Sequence, residues 1–139
     1  MTTKQRLLSI FHTLLSKFGR RNWWPGETEL EIIVGAILTQ NTSWKNVEKA
    51  INNMKARGLL NVDSLQSIPI RDLEEVIRPS GFYKQKSERL KRIINILQDN
   101  NHKSIDNLKL FDTGYLRNLL LNINGIGPET ADSILLYAL

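Results

Sequence analysis

The sequence predicts an all-α fold, a bundle of short helices in one domain. Three observations predict it. Apolar residues recur three and four apart in successive segments, from Leu7 and Phe11 near the start to Ala131 and Ile134 near the end. Glycine and proline punctuate the joins, at Gly19, Gly58, Pro79 to Gly81 and Gly125 to Pro128. The last segment reads as helix, tight turn, helix. The 139 residues suffice for a sizeable core, and residues 1–139 are read as a single unit.

Taken in order, Lys4 to Phe18 is an amphipathic helix with Leu7, Leu8, Phe11, Leu14, Leu15 and Phe18 on one stripe. Gly19 to Asn22 ends it and supplies charge. Trp23-Trp24-Pro25-Gly26 follows; the two tryptophans either cap the core beneath a turn or offer flat rings for stacking. Glu27 to Thr39 is a helix with acids in its first turn, where the dipole favours them. It is apolar on most sides, which marks a central core element. Gln40 to Ser43 closes it, and Ser43 can cap the next helix, Trp44 to Arg57. That helix turns Val47, Ala50, Ile51 and Met54 inward and stops at Gly58.

Asp63 to Gln66 reads as a short helical turn, and Ile70 to Arg78 as a helix with Leu73, Val76 and Ile77 apolar. Asp72, Glu74 and Glu75 form a solvated face there. Pro79 to Tyr83 is a turn with two aromatics. Lys84 to Leu97 is a helix whose Lys84, Lys86, Arg89, Lys91 and Arg92 read either as a solvated surface or as contacts to a polyanion. Asp99 to Phe111 reads as polar and loop-rich, with His102 lacking an evident partner. Thr113 can cap the helix that enters the final turn.

The helix-turn-helix occupies 115–139. Leu116, Leu119 and Leu120 face its first helix inward; Ala131, Ile134, Leu135 and Ala138 do so on the second. Gly125 and Gly127 flank Ile126, which points into the seam. Pro128 suits the first turn of a helix. Unpaired N–H groups at the start of that helix, beside glycines that keep no side chain in the way, make a place for an anion such as phosphate. An ordinary hairpin with a Gly-rich corner has the same pattern, so both readings stay open on spacing alone.

Composition narrows the classes. Lysine and arginine number 19 against 14 acids, a net charge of +5, which favours a polyanionic partner. Cysteine is absent, which excludes disulfides and any cysteine-ligated zinc or iron–sulfur site within these residues. No apolar run is long enough to span a bilayer and no signal-peptide pattern opens the chain, so an intracellular, cytoplasmic location and no membrane partner are expected.

The run Ile123-Asn124-Gly125-Ile126-Gly127-Pro128-Glu129-Thr130-Ala131 resembles the helix-hairpin-helix signature of the endonuclease III superfamily of DNA glycosylases, most closely its 3-methyladenine glycosylase III branch. The resemblance extends from Trp23 onward. It implies double-stranded DNA as partner, a nucleoid-associated location, and hydrolysis of the bond joining a damaged, alkylated base to deoxyribose after the nucleotide is flipped out. Residue by residue, it implies a phosphate site at Gly125, Ile126, Gly127, Glu129 and Thr130. Trp23, Trp24 and Pro25 match the base pocket. Gln40, within Leu38 to Thr42, matches the glutamine that fills the gap left by the base, and Phe82 matches the residue wedged into the opposite strand. A monovalent cation, the one cofactor implied, would bridge the carbonyls of Leu121, Ile123 and Ile126 to a phosphate.

Three departures qualify that expectation. Glu129 stands where bifunctional members carry a lysine; a carboxylate forms no Schiff base, which argues for a monofunctional glycosylase. Ala36 stands where adenine-specific members carry a glutamate. The family's essential aspartate lies beyond the second hairpin helix, past Leu139, so no catalytic residue is expected within the chain and the fold is expected to be incomplete at its C-terminus. Asp132 reads as a dipole-favoured acid. A C-terminal partner segment, or self-association through Leu135, Leu136 and Leu139, follows as an expectation. The alternative is a non-catalytic helix-hairpin-helix DNA-binding module.

Overall fold

The computed structural model describes residues 1–21, 24–99 and 104–139. Trp23 and His102, both singled out above, lie outside the described residues. Nine α-helices and one 3-10 turn are seen among the described residues, with no strand.

Helix α1, Thr3–Phe18, starts at a capping box: Gln5 N–H donates to Thr2 Oγ1 at 3.2 Å and Thr2 N–H to Gln5 Oε1 at 2.7 Å. Its amphipathic stripe is present but packs against nothing substantial. Leu7, Phe11, Leu14 and Phe18 are all at least half exposed, and no residue of the helix is buried.

Helix α2, Glu29–Leu38, is the axis of the core. Thr28 caps it, its side chain accepting from Glu31 N–H. From Ile33 to Leu38 every residue is buried, because neighbours lie on all sides. α3, Trp44–Ala56, and α6, Tyr83–Gln98, pack against it, as does α9, Pro128–Tyr137. α6 in turn carries α4, Val62–Ser67, and α5, Ile70–Ile77. Each fully buried leucine or isoleucine of this core contributes about 1.5–3 kcal/mol relative to exposure.

Three expectations need correction. The stretch from Asp99 to Phe111 contains a helical turn, α7, Ile105–Leu108; Ser104 caps it and Leu108 buries itself in the core. The next helix, α8, Thr113–Leu121, is capped by Asp112, whose carboxylate accepts Tyr115 N–H. Thr113 is the first helical residue, not the cap. The basic run on α6 is a solvated face only in part: Lys84 and Arg92 are exposed, but Lys86 and Lys91 turn inward. Lys86 is fully buried and Lys91 donates to the carbonyls of Leu65, Gln66 and Ile68, closing the C-terminus of α4.

Near the chain end, Leu135 and Leu139 are partly buried against the core and only Leu136 is widely exposed. The larger exposed apolar surface is α1.

Candidate functional site

The hairpin forms as its sequence requires. α8 ends at Asn122, the Ile126 N–H closes the turn onto the Ile123 carbonyl at 3.0 Å, and α9 begins at Pro128. Gly125 takes φ +88°, a left-handed conformation that a side chain resists. Ile123 and Ile126 are buried and pin the turn to the core.

No side chain caps α9. Its first backbone N–H groups, those of Glu129 and Thr130, therefore lack intrahelical partners, and the adjoining Gly127, Pro128 and Glu129 are exposed. A Cβ on Gly127 would meet nothing within 4 Å, so this glycine leaves the approach open. Gly125 does not. A Cβ there would lie 2.0 Å from Arg89 Nε and 2.5 Å from its Cζ. The two glycines therefore differ: Gly127 borders open space, and Gly125 makes room for an arginine from α6.

Gln40 joins this cluster from the loop after α2. Its Nε2 donates to the Gly125 carbonyl at 3.1 Å and to Thr130 Oγ1 at 2.9 Å. Its Oε1 accepts from Arg89 Nη1 at 2.6 Å. The neighbouring Asn41 takes φ +53° to turn the loop. A cleft of about 710 Å³ opens here, lined by Trp24, Gln40, Arg89, Gly127, Glu129 and Thr130. Ala36 lines it too.

Trp24 reaches the cleft with part of its ring. The rest packs against Tyr137, centroids 5.3 Å apart, and edge-on to Trp44 at 5.8 Å. Pro25 is not in this cleft; it borders a separate depression with Trp44, Glu31 and Lys55. The expected pocket residues are therefore split, with Trp24 at the hairpin and Pro25 away from it.

Phe82 is 58% exposed, at φ +46°, on the turn between the 3-10 segment Arg78–Ser80 and α6. Both conformation and exposure cost free energy, and nothing in the core recovers them. Tyr83, behind it, is held by the Arg78 guanidinium 5.0 Å from its ring centre.

Two groups whose roles sequence reasoning missed organise the site, Arg89, described above, and Lys86. Lys86 donates from inside the core to the Leu38 carbonyl at 2.7 Å and the Ser80 carbonyl at 2.6 Å. Those carbonyls precede the Gln40 loop and the Phe82 turn, so one ammonium ties both together. Burial, assisted by the charge of Arg89, lowers the Lys86 pKa to about 8. Asp132 is engaged by Arg117 at 2.7 Å across α8 and α9, and that hydrogen bond holds its carboxyl below the usual range. It is an interhelical ion pair more than a dipole-favoured acid.

Among the described residues no group of three or more His, Cys, Asp or Glu side chains could hold a metal ion. Likewise, no helix is long and apolar enough to cross a membrane.

Residues 34–133 match the family of HhH-GPD superfamily base excision DNA repair proteins. The chain belongs to that family.

HhH-GPD relatives cover nearly all of it. A Methanocaldococcus jannaschii protein, provisionally named a DNA repair glycosylase, is 50% identical over 136 residues, 97% of this chain and 62% of that protein. The endonuclease III of Sulfolobus acidocaldarius is 29% identical over 105 residues, 75% of this chain and 45% of that enzyme. Among solved structures, H. pylori 3-methyladenine DNA glycosylase bound to 1,N6-ethenoadenine superposes with a TM-score of 0.78 at 36% identity, over 99% of this chain and 65% of that one. An endonuclease III trapped as a covalent intermediate with DNA has a TM-score of 0.70 at 18% identity, a likeness of fold. The chain thus spans 62% of the archaeal relative's length and 65% of the H. pylori chain.

Proposed function

We propose that this chain forms the DNA-engaging face of a monofunctional base-excision glycosylase for alkylated bases. The observation that carries the reading is the cleft. It gathers the uncapped start of α9, the open face of Gly127, Gln40 and Trp24, and the exposed Phe82 stands on a loop braced to the same core. In this reading the N–H groups of Gly127, Glu129 and Thr130 hold a phosphate of duplex DNA, favoured by the dipole of α9. Gly125 and Ile126 shape the turn. Gln40 and Phe82 enter the base stack from the two strands, and Trp24 walls the pocket for the flipped base.

The carbonyls of Leu121, Ile123 and Ile126 are neutral oxygen donors of the kind a hard monovalent cation takes, although that of Ile123 already accepts one N–H. Glu129 supplies no amine, so the reaction proceeds without a Schiff base. None of these residues supplies the carboxylate that assists hydrolysis; Asp132 is committed to Arg117. The alkylated-base preference is supported by the 36% identity to the H. pylori 3-methyladenine enzyme.

The test is duplex binding by this chain, and base release on 3-methyladenine DNA by a chain extended to the full length of its relatives, followed by borohydride trapping. Salt-dependent binding, base release without strand scission and no trapped adduct are expected of the glycosylase. Binding with no base release marks a DNA-binding module instead. A borohydride-trapped covalent adduct, or no binding, sinks the reading.

A further inference from the structure

The guanidinium of Arg89 covers the turn at Gly125 and donates a hydrogen bond to the neutral amide oxygen of Gln40. No carboxylate among the described residues pairs with it. Its charge acts on buried Lys86, another cation, whose pKa it helps to lower. An arginine has five N–H donors in a planar fork suited to phosphate, and here most of that capacity is unspent.

Gln40, meanwhile, is folded back. Both ends of its amide are engaged, by Arg89 on one side and by Gly125 and Thr130 on the other. In that position it cannot enter a base stack. The three bonds are to one cleft, the same cleft that receives the phosphate in the function proposed above.

From this geometry we infer that Arg89 is a further phosphate ligand of the hairpin cleft, and that in the free protein it latches Gln40 until a DNA phosphate takes the guanidinium. A charge-assisted arginine–phosphate contact is roughly twice as strong as one to a neutral amide, so a phosphate arriving at the uncapped start of α9 outcompetes Gln40 for Arg89. Gln40, held then by only its two donor bonds to the hairpin, gives these up and swings out towards the duplex. Gly125 is a glycine on this account for two reasons, its positive φ and the space Arg89 occupies.

The inference rests on the hairpin binding DNA, and the test separates the two. Duplex affinity is measured across a series of salt concentrations for the wild type, Arg89→Met, Arg89→Lys and Gln40→Ala. Arg89→Met is expected to weaken binding roughly tenfold at low salt and to reduce the slope of log K against log salt by about 1. Arg89→Lys keeps the charge and the slope while losing the fork, and Gln40→Ala keeps the slope. An unchanged slope in Arg89→Met overturns the role of Arg89 while leaving hairpin binding intact; a wild type with no salt-dependent binding overturns both. Without any variant, nuclear Overhauser contacts between the Gln40 side-chain amide and Thr130 should be present in the free protein and lost on an unmodified duplex. Their persistence in the complex overturns the latch.

Discussion

Replacing Lys86 with methionine isolates what one buried ammonium does. Methionine has nearly the same length, so the volume is kept and the two hydrogen bonds, at 2.7 and 2.6 Å, are removed. The carbonyls of Leu38 and Ser80 are then buried without their donor, at about 1–3 kcal/mol each. Relief of the buried charge offsets part of this, so the expected loss is about 2–4 kcal/mol at pH 7. A second signature comes from protons. The folded protein holds Lys86 at about 8 against an ordinary value of 10.5, so within that window the unfolded chain binds the additional proton. Stability of the wild type therefore rises as pH climbs through the window, by roughly 2–3 kcal/mol by pH 10. Lys86→Met lacks this gain, and every other titrating group is common to both. Urea unfolding of both proteins at pH 7 and pH 10 measures the difference of differences. The gap between wild type and variant should widen on going to pH 10. A variant within about 0.5 kcal/mol of wild type at pH 7, or the same pH response in both, would refute the reasoning.

Other substitutions separate fold from site. Gly125→Ala forces a left-handed alanine and displaces Arg89, so a stability loss of about 1–3 kcal/mol is expected in the same urea assay. Gly127→Ala sits at φ −90° in open space. It should change stability by less than about 0.5 kcal/mol while weakening duplex binding, read by fluorescence anisotropy. Phe82→Ala should leave the fold intact, because the ring is mostly exposed, yet abolish the fluorescence rise of a 2-aminopurine placed across from the lesion. Asp132→Asn breaks an exposed ion pair worth about 0–1 kcal/mol and should leave duplex affinity unchanged in the same anisotropy assay.

Much of this was legible in the sequence, for identifiable reasons. The hairpin announced itself because positive φ and an initial proline each restrict which residues can serve, and Gly125 and Pro128 are those residues. Helix α2 announced itself because an apolar surface on most sides has nowhere to go but the core. The α7 turn carried a signal too, Ser104 placed to accept from Asn107 N–H, hidden among polar neighbours. Lys86 and Arg89 were not legible. In a run of five basic residues nothing local tells which lysine meets Leu38, 48 positions away, or which arginine meets Gln40, 49 away. The room that Gly125 makes for Arg89 is illegible for the same reason, since its occupant comes from another helix. α1 shows the converse: its stripe was correctly read, but amphipathicity does not say what covers it.

The measurement closest to the central claim is a chemical-shift map of backbone amides during titration with a short duplex. The account predicts the largest changes at Gly125 to Ala131, with further changes at Gln40, Asn41, Phe82 and Arg89. Changes confined to α1 or to α4, with the hairpin amides unmoved, would contradict it.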